Sequence, residues 1–215
     1  MGAASSEWGM PDPEEVPVTA DRPDAPIHTT GVDHITLIGS NEADTVAFYR
    51  DLLGMSLVLR QPNLDDPAST HLFFDTGDGR ILTFFVADRE SDPQPVGGEV
   101  GSVHHLSVRV DPERFEEVRE ALAEAGQQFN DFDRGIFRSL YTRDHNGMLI
   151  ELATDAYAIP DDRRAEVLAK TQEIRERDGA DHAEDRHLEA ALESLDLPVD
   201  PVDLGDAPTG VGDAQ

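Results

Sequence analysis

The chain has 215 residues, which suffices for one sizeable core and suggests between one and two domains. Its formal net charge is −28, from 17 Lys and Arg against 45 Asp and Glu, so we expect no nucleic-acid and no membrane partner, because both would repel this surface. The absence of cysteine excludes disulfide frameworks, thiolate nucleophiles, zinc ribbons and iron-sulfur clusters, so a metal site would have to use His and carboxylate ligands.

The composition also predicts the salt conditions and the cellular location in which the protein works. Lys170 is the one lysine, and a surface so acidic and so poor in lysine is typical of proteins kept soluble at high salt, where charge repulsion is screened. The acidic start of the chain lacks the basic and apolar regions of a signal peptide, and no apolar run approaches the roughly 20 residues of a membrane span. We therefore expect a cytoplasmic, halophilic protein.

The first part of the chain predicts an extension followed by a core. Residues 1–30 are rich in Pro, Asp, Glu and Ala with little apolar periodicity, which predicts an acidic, flexible N-terminal extension. The core is expected at residues 31–157, and within it one pattern occurs twice. Each copy has a short strand with a histidine near its start, a helix that ends at glycine, and three more strands.

The first copy spans about residues 31–88. His34 opens an alternating strand that runs to Ile38, Asn41 can cap the following helix, and Gly54 can end it. Further strands are predicted near residues 56–61, 70–75 and 80–87.

The second copy spans about residues 102–156. A strand is predicted over residues 103–110, Asp111 with Pro112 reads as an N-cap with proline at the first helical position, and Gly126 ends the helix. Further strands are predicted near residues 127–132, 137–143 and 148–154.

The part after the core predicts helices and a tail. From Ala158 onward the chain has no Phe, Tyr or Trp, and residues 158–199 predict a helical C-terminal extension with a helix cap at Asp181. Residues 200–215 predict a disordered acidic tail.

Superposing the two copies on their turn glycines, Gly79 and Gly147, gives the equivalent positions. The pairs are His34 with His105, Phe73 with Tyr141, and Thr83 with Glu151. A module of one helix and four strands leaves one sheet face bare, so two modules can cup their bare faces around a cavity. The fold class predicted is therefore α+β: two βαβββ modules pairing into a cupped, barrel-like mixed sheet with helices outside, plus C-terminal helices.

Glu151 is the anomalous residue of the second copy, because it lies within an otherwise apolar strand at residues 148–153. A buried, unpaired carboxylate there would cost several kcal/mol, so it needs a cation. One interpretation is a salt bridge to Arg138 or Arg143.

The repeat supports a second interpretation, in which the carboxylate binds a metal. His34 and His105 occupy equivalent places and would converge in the cup with Glu151, and two imidazoles with one carboxylate form the triad that holds ferrous iron with open positions. Thr83 stands where a fourth ligand would be expected, so coordination would stay incomplete, as catalysis requires.

Four segments carry a resemblance to a known superfamily. They are His34-Ile-Thr-Leu-Ile, Phe48-Tyr-Arg-Asp-Leu-Leu-Gly-Met, Val103-His-His-Leu-Ser-Val, and Ser139-Leu-Tyr-Thr-Arg-Asp-His-Asn-Gly-Met-Leu-Ile-Glu151. Residues 31–155 resemble the vicinal oxygen chelate superfamily, which includes glyoxalase I, bleomycin-resistance proteins and extradiol ring-cleaving dioxygenases. The stretch from Asn63 through Thr70-His-Leu-Phe-Phe-Asp75 to Gly79-Arg-Ile-Leu-Thr-Phe-Phe more narrowly resembles the hydroquinone-type ring-cleaving dioxygenases.

This resemblance implies roles for six residues. His34, His105 and Glu151 match the metal ligands, Tyr141 matches the active-site tyrosine, and His104 and Arg134 match residues that deprotonate and hold a phenolic substrate. It implies Fe(II), or Mn(II), as cofactor and O2 as co-substrate. Adjacent strand residues point to opposite faces, so His104 and His105 share the cup only at a bulge or a strand end.

The function that follows is a non-haem Fe(II) dioxygenase that cleaves a dihydroxylated aromatic ring of catechol or hydroquinone type. The alternatives are a glyoxalase-type metal-dependent isomerase or lyase, and a metal-free small-molecule binder like the bleomycin-resistance proteins. Hydroquinone-type enzymes usually have four βαβββ units and this chain has two, so we expect a homodimer to close the cup. The sequence leaves open whether His34 meets the other ligands within one chain or across the dimer.

Overall fold

The computed structural model describes residues 16–204. Contacts divide these residues into two compact units, one made of residues 25–157 with 201–204 and the other of residues 16–24 with 158–200. Part of the predicted N-terminal extension and most of the predicted acidic tail lie outside the described residues.

The larger unit contains the two predicted βαβββ modules. The first consists of β1 (His34–Ile38), α1 (Glu42–Val46) continued by a π-helix (Ala47–Leu52), β2 (Ser56–Pro62), β3 (Thr70–Asp75) and β4 (Ile81–Val86). The second consists of β5 (Leu106–Arg109), a 3₁₀ turn (Pro112–Arg114), α2 (Phe115–Glu124), β6 (Asn130–Asp133), β7 (Phe137–Arg143) and β8 (Leu149–Asp155). The α+β prediction of two modules is confirmed.

Each module forms its own four-stranded mixed sheet. The strand orders are β1-β4-β3-β2 and β5-β8-β7-β6, with β1 parallel to β4, β5 parallel to β8, and the other pairs antiparallel. Within residues 16–204 no strand of one sheet pairs with a strand of the other. A single chain therefore forms two separate sheets, and the barrel-like continuity expected from the sequence is not present in it.

The predicted helix starts are confirmed by their capping bonds. The Asn41 side chain accepts from the Asp44 backbone N–H at 2.9 Å, and the Asp111 side chain accepts from the Glu113 N–H at 3.0 Å with Pro112 at the first helical position. The strand predicted over residues 103–110 was too long, because β5 begins at Leu106. His104 and His105 therefore precede the strand.

The modules meet through the helical segment of the first and the β7–β8 turn of the second. Tyr49, which is fully buried, donates its hydroxyl to Asp144 Oδ2 at 2.8 Å. The Ser40 N–H donates to the Asn146 side chain at 3.1 Å, and Thr45 Oγ1 lies 3.0 Å from His145 Nε2. These contacts lie beside a shared apolar core that the two sheets and their helices enclose.

Within residues 16–204, the opposite face of the first sheet is bare around its two outer strands, where large apolar side chains are exposed. His34, Thr36 and Ile38 alternate onto this face of β1, and Leu59 of β2 is in register with Phe73 of β3. Ile38 is 67% exposed and Leu59 45% exposed. An apolar sheet face left open in this way is available to another protein surface.

We predict that replacing Tyr49 by phenylalanine weakens the junction between the modules. Loss of a hydrogen bond to a buried carboxylate should cost about 1–3 kcal/mol of unfolding free energy. Burial, with the charge of Asp144, raises the pKa of Tyr49 well above its ordinary value, so its contribution is fully present below about pH 10 and is lost as the pH rises further. Urea unfolding of both proteins at neutral and alkaline pH should show a steeper alkaline loss in the native chain, and equal slopes would contradict this account.

The smaller unit contains α3 (Arg164–Arg177) and α4 (Asp185–Ser194). Leu188, Ala191 and Leu192 are buried along one side of α4. The cap expected at Asp181 was wrong: Glu184 caps α4, and its backbone N–H donates to His187 Nδ1 at 2.9 Å. In the described part of the chain, no helix combines the length and the apolar character needed to cross a membrane.

Candidate active site

Glu151 is the third residue of β8 and lies opposite Ser107 of β5 and Tyr141 of β7. Its side chain is buried and its oxygens have several partners. Ser139 Oγ donates to Oε1 at 2.7 Å, the Tyr141 hydroxyl donates to the same oxygen at 2.5 Å, and His105 Nε2 lies 3.1 Å from Oε2. The carboxylate is thus held by hydroxyl groups and one imidazole.

The arginine salt bridge to Glu151 that the sequence left open is wrong. Arg138 pairs instead with Asp131, at 2.8 Å, and its guanidinium stacks over the ring of Phe115 on the helix-covered face of the sheet. Arg143 donates from Nη1 to the Gly147 carbonyl at 2.9 Å.

Hydrogen bonding around Glu151 favours its ionised form. Burial alone would raise its pKa, but the bonds donated by Tyr141, Ser139 and Ser107, with the charge of His105, hold the pKa below its ordinary value. Burial and the bond to Glu151 in turn raise the pKa of Tyr141 to about 12. At neutral pH the pair is therefore a carboxylate and a protonated phenol.

The two adjacent histidines share one wall of the site. Because β5 begins at Leu106, His104 and His105 are free of strand alternation, and both line the same cavity. Their Nδ1 atoms lie 2.8 Å apart. A proton on the Nδ1 of His105, donated to His104, would leave the Nε2 lone pair beside Glu151 free to bind a metal.

Strand register shows that the two modules are equivalent at the site. In the first module Thr36 pairs with Thr83 across β1 and β4, and at the equivalent position of the second module Ser107 pairs with Glu151 across β5 and β8. In the first module Thr83 Oγ1 donates to Thr36 Oγ1 at 2.8 Å. The first module thus has no carboxylate at the position equivalent to Glu151.

His34 stands apart from the other two predicted ligands within one chain. Its side chain is 51% exposed, and its Nδ1 lies 2.6 Å from Asp33 Oδ1. Among residues 16–204, no group of three or more His, Asp and Glu side chains is placed to hold a metal ion. The structure therefore brings together His105 and Glu151, with Tyr141 and His104, but does not add His34.

A groove of about 1680 Å³ opens beside this cluster. Its walls include His104, His105, Tyr141, Arg134 and Arg143. The Arg134 guanidinium lies 4.8 Å from the centre of the Phe132 ring, which itself contacts the Tyr141 ring edge-on. The predicted second histidine and arginine thus lie beside the predicted tyrosine.

Ser107 and Ser139 were not predicted as residues of this site, and Arg143 was considered only as a salt-bridge partner of Glu151. Ser107 and Ser139 hydrogen-bond to Glu151, and Arg143 lines the groove. For Ser139 and Arg143 the signal was the two-residue spacing that places them on the same face of β7 as Tyr141. Ser107 lies opposite Glu151 across the parallel strands β5 and β8.

Comparison with known families agrees with the fold. The sequence profile of the Glyoxalase/Bleomycin resistance protein/Dioxygenase superfamily matches residues 31–152, more than half of the chain. The chain belongs to this superfamily. Its two βαβββ modules are the matched part, and the cluster around Glu151 lies within it.

Curated relatives within the superfamily carry a dioxygenase name. The chain is 33% identical over 79 residues to "Putative ring-cleaving dioxygenase MhqE" of Bacillus subtilis, covering 35% of this chain and 26% of that protein. It is 28% identical over 130 residues to "Putative ring-cleaving dioxygenase MhqA" of the same organism, covering 59% of this chain and 40% of that protein. The matches therefore span less than half the length of these relatives.

Solved superfamily structures show the same fold. A crystal structure described as a "putative dioxygenase" from Bacillus subtilis superposes with a TM-score of 0.52 at 25% identity, covering 62% of this chain and 45% of that one. A glyoxylase/bleomycin resistance protein/dioxygenase domain from Frankia sp. EAN1pec gives a TM-score of 0.52 at 18% identity, covering 60% of this chain and 99% of the domain.

Proposed function

We propose that the protein is a metal-dependent dioxygenase that opens a dihydroxylated aromatic ring of catechol or hydroquinone type with O2. The single observation that carries this proposal is the cluster of His105, Glu151 and Tyr141 at the groove. It combines two metal-ligand types with a protonated phenol whose pKa is about 12. The names of the curated relatives support the same reaction class.

The donors suit Fe(II) or Mn(II), provided that a second copy of the chain completes the set. His105 Nε2 and Glu151 Oε2 lie 3.1 Å apart, close enough to share one ion, whereas residues 16–204 of the same chain supply no third ligand beside them. His34 occupies the repeat position equivalent to His105, on the bare face of the first sheet. We propose that His34 of a second protomer is the third ligand.

A twofold dimer would cover the bare face of the first module and complete the metal site of the second module at the same time. If the bare face of the first sheet of each protomer covers the second sheet of the other, the exposed Ile38 and Leu59 become buried, and two identical sites form. The module junction through Tyr49 and Asp144 lies beside the apolar core and leaves this face open.

The bare face also offers aromatic surface for a ring-shaped substrate. The His71 ring lies 4.0 Å from the Phe73 ring and 4.4 Å from the Phe85 ring, measured between ring centres. In the proposed dimer these rings would face the Tyr141 side of the partner subunit. Aromatic walls of this kind favour a flat, apolar ring.

Each residue of the groove then has a role. A bound ferrous ion would lower the pKa of a coordinated phenol and provide the redox centre at which O2 reacts. With its Nδ1 accepting from His105, a neutral His104 carries its proton on Nε2 and would donate it to the phenolate oxygen, whose charge the Arg134 guanidinium would also stabilise. The Tyr141 hydroxyl, protonated at neutral pH, would donate a hydrogen bond to a substrate oxygen while Ser139 retains its bond to Glu151.

Oxygen uptake tests this function directly. Protein loaded with Fe(II) without air, at high salt, should consume one O2 per ring when offered catechol or hydroquinone, with loss of aromatic absorbance. Protein loaded with Zn(II) serves as the control, because zinc cannot exchange electrons with O2.

No uptake by protein that retains iron would contradict the dioxygenase proposal and favour a glyoxalase-type reaction. Failure to retain any metal would favour a metal-free binding protein.

A further inference from the structure

Most arginines in the described chain neutralise a nearby carboxylate. Those with a carboxylate oxygen within 4.0 Å include Arg50, Arg60, Arg80, Arg114, Arg119, Arg138, Arg163, Arg175, Arg177 and Arg186. In a chain with 45 acidic residues and 17 basic ones, such pairing is the expected state.

Arg134 and Arg143 are exceptions, and both line the groove beside Tyr141. Within residues 16–204 neither guanidinium has a carboxylate oxygen within 4.0 Å. Arg134 rests over the Phe132 ring, and Arg143 donates one of its N–H groups to the Gly147 carbonyl at 2.9 Å. Two uncompensated positive charges therefore lie on one wall in a strongly acidic protein.

The carboxylates that line the groove, those of Asp44 and Asp144, already accept hydrogen bonds from other groups of the protein. Asp44 accepts bonds from Asn41 at 2.9 Å and Ser91 at 2.5 Å, and these bonds lower its pKa. Asp144, which is buried, accepts from the Tyr49 hydroxyl and from the backbone of the β7–β8 turn. Among residues 16–204, no carboxylate of the groove is thus left to pair with the two arginines, which are open to a negatively charged ligand.

Arg143 is held in place for such a role. The Gly147 carbonyl that it contacts is part of a tight turn, where a Cβ on Gly147 would lie only 1.7 Å from the Gln94 carbonyl oxygen. One of the five guanidinium N–H donors is used by this bond, which leaves the others for a ligand. Arg143 lies two residues beyond Tyr141 on the same face of β7, a distance of roughly 7 Å along the strand.

We propose that the substrate ring carries a carboxylate and that Arg143 binds it. This inference rests on the proposed ring-cleaving function and narrows its substrate class. With the phenolic oxygens at the Tyr141 and Glu151 end, a substituent on the far side of the ring lies at Arg143. A guanidinium binds a planar carboxylate through two parallel hydrogen bonds, so Arg143 selects acidic rings over neutral ones.

Matched probe pairs test the proposal: hydroquinone against its carboxylated counterpart gentisate, and catechol against its counterpart protocatechuate. Affinity is measured by equilibrium dialysis of the Fe(II) protein without air, and KM and kcat by oxygen uptake, all at high salt to screen the long-range field. Arg143→Gln should weaken binding of the carboxylated rings about tenfold to a hundredfold, which is a much larger change than in the binding of the neutral rings. Arg177→Gln, which makes the same charge change in the smaller unit, should alter neither.

Equal affinity of the native protein for carboxylated and neutral rings would overturn the proposal. So would an Arg143→Gln protein that binds gentisate normally but dimerises less well in sedimentation, since the arginine would then serve the subunit interface. If no ring drives oxygen uptake, the dioxygenase function fails, while the dialysis comparison still decides whether Arg143 selects carboxylates.

Discussion

Replacing Glu151 by glutamine should abolish tight metal binding and reduce turnover by about a thousandfold or more. Glutamine has the size of glutamate and can still accept the bonds of Ser139 and Tyr141 at its carbonyl oxygen, so the fold should be kept. What it lacks is the negative charge that a divalent ion requires. A loss of about 4 kcal/mol of transition-state stabilisation corresponds to that change in rate.

The measurement is metal content after gel filtration, followed by oxygen uptake. Glu193→Gln is the matched control, because Glu193 is an exposed residue of α4 and its replacement makes the same charge change. A Glu151→Gln protein that keeps both its iron and its activity would show that this carboxylate is a structural hydrogen-bond acceptor and not a ligand.

A comparable loss of metal and activity is expected when His34 is replaced by alanine. This effect is not apparent from one chain, where the His34 side chain is 51% exposed and stands apart from Glu151. Removing an exposed histidine normally changes stability by less than about 0.5 kcal/mol. If His34 is the third ligand of a partner's site, its loss leaves only two protein ligands on the ion.

Metal content, oxygen uptake and thermal unfolding should be measured together for His34→Ala. His28→Ala is the control, because His28 is exposed and belongs to the same unit. Unchanged metal content would exclude His34 as a ligand, and a large loss of thermal stability would indicate a structural role instead.

Six of the eight strands could be predicted to within one residue at each end, because apolar alternation and glycine turns are local signals, whereas β5 and β6 were predicted to begin three residues too early. The predictions at β1, β3 and β7 match the structure to the residue. The caps at Asn41 and Asp111 were equally local, since each depends on one side chain and the next few N–H groups. At the site, the repeat correctly paired Thr83 with Glu151.

What could not be predicted depends on contacts between distant residues. The two-residue alternation along a strand cannot show whether Tyr141 and Glu151 lie on the same face, because a turn separates their strands. That turn, between β7 and β8, sets their register through the bond from the Asp144 N–H to the Met148 carbonyl. The same holds for the two modules, whose junction depends on Tyr49 reaching Asp144 across 95 positions of sequence. That junction leaves the bare face open and His34 apart from His105.

Mixing the two inactive proteins tests the central claim, which is that the metal site forms between two protomers. Heterodimers of His34→Ala and Glu151→Gln would contain one site with native His34, His105 and Glu151, and one site with both defects. Subunit exchange at equal concentrations gives about half heterodimers, each with one of two sites intact, so oxygen uptake should recover to about a quarter of the native rate. A mixture that remains as inactive as its parts, after exchange has been shown by mass spectrometry, would contradict a shared site.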